Sequence, residues 1–255
     1  EGQPVTVAAV DFLGFEVIPP DRLAQMQAQM PLVVGMPRDR QLAVAARELA
    51  VNTLRDHGYP YARVRTQEDD GPAGTSATLV FTAEPGPLAH FGSVEIAGNN
   101  SVNDRIIERQ LSFKAGDLYR RSVVQESQRR LYQMELFQFV NIESLDPEAQ
   151  RPDVNTRVTV AEGRHQRVNF GVGYGTEEKA RVDGEYHHVN FLGGARSAGA
   201  HARWSSLDRG VRLDFNQPYF FAPRLSLGGE AQQWYTVTPA YRSVVTGARA
   251  TLMHR

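Results

Sequence analysis

The chain has 255 residues, with 28 basic and 29 acidic side chains and a net charge of -1. This balance excludes a protein that binds nucleic acid through a basic surface, because such a protein needs a cationic excess to neutralise phosphates. The absence of cysteine excludes disulfides, thiolate metal sites and a cysteine nucleophile. No apolar stretch approaches the roughly 18 residues of a transmembrane helix, although alternating membrane strands would escape that criterion.

The first part of the chain predicts a small module with the element order β-α-α-β-β. Pro19-Pro20-Asp21 suits the start of a first helix, and Gly58 suits the end of a second one. A turn at 71–74 is expected between the last two strands. From apolar spacing and alternation, the predicted elements are strand 5–10, helix 22–30, helix 38–57, strand 59–66 and strand 77–83.

The second part repeats this order, with Gly35 and Gly116 in equivalent turns. Ser101-Val102-Asn103-Asp104 is expected to form a capping box that starts a helix ending at Leu111. The remaining predicted elements are strand 91–97, helix 118–136, strand 139–144 and strand 154–161.

From residue 164 onward the sequence contains only short alternating runs, which predict about six strands of the length of tilted membrane strands. Alternation alone fits either a membrane barrel or a soluble sheet, because both place apolar and polar residues on opposite faces. Aromatic pairs such as Trp234-Tyr235 fit an interfacial girdle or an ordinary core. If the strands are in a membrane, the predicted lipid-facing residues are Val168, Phe170, Val172, Val211, Leu213, Phe215, Leu225 and Leu227, and the predicted lumen-facing residues are Arg203, Arg212, Asp214 and Glu230.

No pattern in the chain predicts catalysis, a cofactor or a metal. The glycine-rich segment 171–175 is followed by a polar hairpin and another strand, whereas a phosphate loop needs a helix behind it. His187 and His188 are adjacent, so in a strand they point to opposite faces and cannot chelate one ion. We therefore expect a protein that is not an enzyme.

Several motifs, taken in order, resemble the outer-membrane assembly and translocation family of BamA and TamA, also called bacterial surface antigen proteins. That family combines periplasmic POTRA modules, each β-α-α-β-β, with a membrane β-barrel. The matching segments are Gly58-Tyr59-Pro60-Tyr61-Ala62-Arg63-Val64, Phe91-Gly92-Ser93-Val94-Glu95-Ile96-Ala97-Gly98-Asn99, Lys114-Ala115-Gly116-Asp117, Leu131-Tyr132-Gln133-Met134-Glu135-Leu136-Phe137, Val168-Asn169-Phe170-Gly171-Val172-Gly173-Tyr174, Asn190-Phe191-Leu192-Gly193-Gly194 and Gln217-Pro218-Tyr219-Phe220-Phe221.

The resemblance implies an α+β chain: two POTRA-like modules at 4–87 and 88–163, then the first antiparallel strands of an incomplete transmembrane β-barrel at 164–255. About six strands fall short of the eight or so with which natural membrane barrels close. The first residues lack the basic and apolar regions of a signal peptide, which fits either a mature chain or one cut from a longer chain, and the missing strands favour the second. The chain is therefore expected to be part of a longer protein.

The resemblance also implies a function in outer-membrane protein assembly or translocation, with residues 1–163 in the periplasm. The strand after the second helix of each module is expected at a sheet edge, where an extended client or partner segment can pair with it. The candidate edge residues are Tyr61, Arg63, Val64, Arg65, Phe139, Val140, Asn141 and Ile142.

The first barrel strand, with Val168, Asn169, Phe170, Gly171, Val172, Gly173 and Tyr174, is the candidate lateral gate. Its glycines either weaken the strand or relieve crowding inside a barrel. Expected partners are unfolded outer-membrane proteins or autotransporter clients, a periplasmic or inner-membrane protein, and the lipid bilayer, with no nucleic acid and no cofactor. The alternative is a soluble periplasmic interaction module whose last part is a β-sandwich.

Overall fold

The structure is a computed structural model that describes residues 5–71, 75–222 and 225–254. The described residues form two three-stranded sheets with helices, followed by an antiparallel six-stranded sheet that is not closed. This is the predicted α+β class. Packing divides the chain into two compact units, one of residues up to 95, 112–126 and 142–158, and one of residues 96–111, 127–141 and 159 onward. The first module lies in the first unit, the six-stranded sheet lies in the second, and the second module contributes to both.

The first module has the predicted element order. Its strand order is β1-β3-β2, with β1 parallel and β2 antiparallel to the central strand. Its elements are β1 (Thr6–Leu13), α1 (Pro20–Ala28), α2 (Arg40–Asp56), β2 (Arg63–Asp70) and β3 (Ser76–Glu84). The predicted turn at 71–74 lies largely outside the described residues, because only Gly71 of the four is described.

Helix α2 covers the sheet of the first module because its small and apolar residues recur on one face. Ala46, Ala50 and Leu54 are fully buried and belong to the same core cluster as Leu79 and Phe81 of β3. The helix starts where the Asp39 side chain accepts a hydrogen bond from the Gln41 backbone N–H at 2.7 Å. It ends before Gly58, whose φ of +97° is a conformation that favours glycine.

The second module repeats the pattern with shorter helices than predicted, and its strand order is β4-β6-β5. Its elements are β4 (His90–Ala97), α3 (Asp104–Glu108), α4 (Arg121–Gln133), β5 (Phe137–Ser144), a 3-10 turn (Pro147–Ala149) and β6 (Asp153–Glu162). Among the described residues, no helix has the length and apolarity that a membrane span requires.

The expected capping box of α3 is wrong. The residue that caps this helix is Asn103, whose side chain accepts from the Arg105 N–H at 3.0 Å. Ser101 instead donates its hydroxyl to Glu162 at 2.6 Å. The helix also ends at Glu108 and not at Leu111, since the following residues form turn-type bonds such as Gln110 N–H to the Ile107 carbonyl.

The last part is a meander of six antiparallel strands in the order β12-β11-β10-β9-β8-β7. Each strand pairs with its sequence neighbours, so the register follows from the short connections. The strands are β7 (Gln166–Gly175), β8 (Lys179–His188), β9 (Ser197–Trp204), β10 (Asp208–Gln217), β11 (Leu225–Val237) and β12 (Arg242–His254).

Candidate functional site: sheet edges and an exposed apolar face

Strand β7, the candidate gate strand, is an edge strand of the six-stranded sheet. It pairs with β8 over its whole length, from Gln166 opposite His188 to Gly175 opposite Lys179. In the described parts of the chain no strand pairs with its other side. All seven predicted gate residues lie within β7. The backbone N–H and C=O groups along its outer side are therefore positioned to accept another strand.

One face of the six-stranded sheet is apolar and uncovered. The register places every predicted lipid-facing residue on this face, with pairs such as Val172 opposite Val182, Ala200 opposite Leu213, and Leu227 opposite Leu252. Val168, Phe170 and Val172 are each more than 70% exposed. A β-sandwich would bury such a face against a second sheet, and no described part of the chain does so. A contiguous apolar face that is exposed in this way is expected to contact lipid or an apolar partner.

The opposite face of the same sheet is charged. It contains all four predicted lumen-facing residues, among which Arg212 contacts Glu230 at 3.5 Å and Asp214 lies opposite Glu230. Arg249 reaches the same glutamate at 2.7 Å. Among the described residues of this sheet, the ion pairs lie on one face, which is the distribution expected of a membrane barrel.

The glycines of β7 make room for charged side chains of β8. A Cβ at Gly171 would lie 2.6 Å from the Asp183 carboxylate, and one at Gly173 would lie 3.1 Å from the Arg181 guanidinium. Arg181 and Asp183 also contact each other, with 3.4 Å between Nε and Oδ1. Of the two sequence interpretations, this geometry favours relief of crowding, because the space above the glycines is already filled.

Strand β2 is one of the two outer strands of the first module, the other being β1, and it contains Arg63, Val64 and Arg65. Tyr61 was expected in this strand but precedes it, and its hydroxyl donates to the Arg151 carbonyl at 3.1 Å. In the described parts of the chain, no side chain hydrogen-bonds to the backbone of β2. Strand β2 carries basic side chains at its start (Arg63 and Arg65) and acidic side chains at its end (Glu68, Asp69 and Asp70).

Strand β5 is one of the two outer strands of the second module, the other being β4, and it contains Phe139, Val140, Asn141 and Ile142. Its centre is already engaged by α4. The Val140 N–H donates to the Tyr132 hydroxyl at 3.0 Å, and the Val140 carbonyl accepts from the Gln128 side chain at 2.8 Å. A pairing strand would have to replace these bonds. Neither α4 residue is predicted from the sequence as a partner of this edge, although their spacing of four places them on one helix face.

A carboxylate at the end of the second module was also missed. Glu162, the last residue of β6, binds three consecutive backbone N–H groups, those of Asn100, Ser101 and Val102. The only sequence signal is a Glu directly before the linker to β7, because partners about 60 residues away cannot be recognised from local spacing.

The comparisons with known proteins agree with this architecture. Residues 89–163 match the POTRA family model, described as the surface antigen variable number repeat. The chain is 24% identical over 206 residues to the outer membrane protein assembly factor BamA of Neisseria meningitidis, which covers 80% of this chain and 26% of that protein. It is 23% identical over 176 residues to the protein of the same name from Nitratidesulfovibrio vulgaris, covering 69% of this chain and 22% of that protein.

The crystal structure of BamA from Haemophilus ducreyi lacking POTRA domains 1-3 superposes with a TM-score of 0.76 at 19% identity, over 98% of this chain and 47% of that chain. This likeness shows the fold. The chain thus combines POTRA-like modules with the first strands of a barrel. The findings together confirm its predicted resemblance to the BamA-like outer-membrane assembly family. The chain spans about a quarter of the length of these curated relatives.

Proposed function

We propose that this chain is part of an outer-membrane protein that assembles or translocates other proteins, with its two modules in the periplasm. The observation that carries the proposal is the exposed apolar face of the six-stranded sheet, which follows directly after two POTRA-like modules. Relatives named as outer membrane assembly factors support it. The module boundaries at 87/88 and 163/164 remain part of the proposal.

The test is reconstitution of the full-length parent protein in liposomes. An unfolded outer-membrane β-barrel protein is added, and protease protection of the folded client measures its insertion. Faster insertion than into protein-free liposomes supports the proposal. Equal rates for both kinds of liposome, with the parent correctly folded, contradict it.

The proposed gate is the free side of β7. In a closed barrel this side meets the strand that completes the barrel, and opening this pair would expose β7 as a template for a client strand. A disulfide between β7 and the closing strand of the parent is expected to stop client insertion, and reduction is expected to restore it. Full activity of the oxidised protein would exclude the gate. Residues 1–255 contain no cysteine, so none of them competes with the engineered pair.

The proposed binding sites for extended periplasmic segments are β2 and β5, with β2 preferred. The backbone of β2 has no side chain bonded to it among the described residues, whereas Tyr132 and Gln128 already bind Val140 in β5. An added strand with acidic residues near Arg63 and Arg65 and basic residues near Asp69 and Asp70 would match the charges of β2.

Site-specific photo-crosslinking distinguishes these edges. A photo-reactive residue replacing Gln67 of β2 is expected to crosslink more client or partner than one replacing Gln138 of β5. Tyr132→Phe should raise crosslinking from position 138, because it removes the hydroxyl that holds the Val140 N–H. A photo-reactive residue at Asp11 serves as control. Asp11 lies in β1, the other outer strand of this sheet, whose start is already hydrogen-bonded through Val7 to the backbone of Gly35 and Met36. Equal yields from positions 67 and 11 would contradict β2 as a binding edge. Val64 is unsuitable as a test position because its side chain is in the core.

A further inference from the structure

The linker between the second module and β7 is held by one carboxylate. Oε1 of Glu162 accepts from the backbone N–H groups of Asn100 at 2.7 Å, Ser101 at 2.7 Å and Val102 at 2.9 Å. Oε2 accepts from the Ser101 hydroxyl at 2.6 Å. Hydrogen bonds to an ionised group are stronger than bonds between neutral groups. These four bonds therefore hold Asn100, Ser101 and Val102 strongly to Glu162.

The environment of Glu162 favours its ionised form. Its side chain is only 11% exposed, and the imidazole of His165 lies 3.7 Å from Oε2. Burial by itself raises the pKa of Glu162, but the hydrogen bonds from the Ser101 side chain and from the Val102, Ser101 and Asn100 N–H groups lower it by more. The net lowering keeps the carboxylate charged at neutral pH, as the four donors require.

Ser101 connects this carboxylate to the turn between β8 and β9. Nδ2 of Asn190 donates to the Ser101 hydroxyl oxygen at 3.3 Å, while that hydroxyl donates to Glu162. Asn190 is 7% exposed, and its Oδ1 accepts from the Ala195 N–H at 3.1 Å within the same turn. Each group in this chain of hydrogen bonds therefore donates to the next, from Asn190 in the turn through the Ser101 hydroxyl to the Glu162 carboxylate.

A backbone hydrogen bond joins the end of the linker to the β8–β9 turn. The Val189 N–H donates to the carbonyl of His165, the residue before β7, at 2.9 Å. The segment between Glu162 and β7 is thus fixed at both ends, by the carboxylate at its start and by the β8–β9 turn at its end. We call Glu162, Asn100, Ser101, Val102 and Asn190 the linker cluster.

The first module provides an internal comparison. Its last strand, β3, also ends in a glutamate, Glu84. Glu84 is exposed and contacts Arg65 at 2.9 Å on the surface of the module. A surface ion pair of this kind contributes little to the free energy of folding. The four-donor arrangement is therefore specific to the end of the module that leads into β7.

We propose that Glu162 is a positioning residue that acts through Ser101 and Asn190 to hold the second module against the β8–β9 turn, and so sets where β7 leaves that module. The inference rests on the proposed function in one respect only, namely that β7 is the gate strand. It extends that function by assigning residues that control the gate from outside the barrel.

The experiment uses the full-length parent protein in liposomes, with spin labels at Glu108→Cys on the module and Leu192→Cys on the β8–β9 turn. Pulsed electron resonance measures the distance distribution between them. Glu162→Ala is expected to broaden this distribution. It is also expected to slow client insertion by about tenfold or more, because it removes all four hydrogen bonds to the ionised group. Glu84→Ala is the matched control and should change neither quantity.

Ser101→Ala keeps the three backbone N–H groups that bind Glu162, so it tests the inference even if Glu162→Ala destabilises the module. It removes the hydroxyl, and with it the bond to Oε2 of Glu162 at 2.6 Å and the bond from Nδ2 of Asn190 at 3.3 Å, and leaves only the weaker bond from Asn190 to the Ser101 carbonyl at 3.5 Å. It should broaden the distribution. Asn190→Ala removes the same bond to the hydroxyl together with the bonds of Asn190 to the Ser101 carbonyl and the Ala195 N–H, so the double variant should broaden the distribution by less than the sum of the two single effects. An unchanged distribution in Ser101→Ala, or additive effects of the two substitutions, overturns the inference. A wild-type protein that inserts no client contradicts the proposed function but leaves the distance measurement as a test of the cluster.

Discussion

Strands β3 and β7 share one alternating pattern and differ in what covers it. In β3, Leu79 and Phe81 are fully buried beneath α2, and Phe81 also stacks on Phe12 at 5.6 Å. In β7, Phe170 is 73% exposed and no described helix or sheet lies over it. Period-two alternation therefore indicates that a strand has an apolar face but does not indicate what that face contacts. Each module buries its own apolar face, whereas no described residue covers the apolar face of the six-stranded sheet.

The largest expected difference concerns the two phenylalanines. Phe81→Ala should lower the free energy of unfolding of the first module by about 3–5 kcal/mol, because it leaves a cavity in a closed core. Phe170→Ala should cost much less, since lipid or detergent can fill the vacated volume. Hydrogen exchange of the full-length protein in detergent measures both. Equal losses of protection would show that β7 is covered by protein.

The second prediction concerns the two faces of β10. In the parent protein, Leu213→Arg places a charge on the apolar face and should cost about 2–4 kcal/mol near the bilayer midplane, blocking assembly. Asp214→Arg changes the polar face, where Glu230 lies directly opposite and offers a counter-charge. The heat-modifiable band of the folded barrel on a gel measures assembly. Equal tolerance at positions 213 and 214 would contradict a membrane location for this sheet.

The third prediction tests how the covering helices end. Gly58 follows α2 with φ +97°, whereas Glu135 takes the left-handed conformation after α4 with φ +57°. Gly58→Ala should destabilise the first module by about 1–2 kcal/mol, and Glu135→Gly should stabilise the second module by a similar amount. Thermal unfolding of the two variants measures the shifts. Shifts in the same direction would contradict this explanation.

The smallest expected effect concerns how the covering helices begin. Asp39 caps α2 from within its own module, whereas the α4 N–H of Ser122 donates to Asp56, the last residue of α2, at 2.6 Å. Arg120, which precedes α4, has no side-chain oxygen that could accept this bond. Asp56→Ala should therefore destabilise α4 by about 1 kcal/mol. Hydrogen exchange in the first turn of α4 measures this loss.

A second substitution provides the control for the cap of α4. Arg120→Asp in the Asp56→Ala background should restore protection, because it supplies a local acceptor like that of Asp39 in α2. No recovery in this double variant would show that Asp56 stabilises α4 in some other way than as a cap.

Local sequence patterns determined most of the elements. Helix-start residues, the repeat of the element order and, for α2, apolar spacing predicted the helices of the two modules. Alternation predicted about six strands in the last sheet together with the division of its faces. The errors occur where local signals compete. A Ser followed three residues later by Asp predicted a cap at Ser101, but a distant carboxylate binds that hydroxyl and Asn103 caps the helix instead.

Only the tertiary structure decided which edges and faces are available. The engagement of Val140 by Tyr132 and Gln128, the filling of the space above Gly171 by Asp183, and the contact of Glu162 with Asn100–Val102 all join different elements. Hydrogen bonds and packing of this kind depend on how elements meet in space, whereas periodicity reports only the direction of each side chain relative to its own strand or helix. The sequence therefore determined the faces of this protein, and its tertiary contacts determined which of them remain open to a partner.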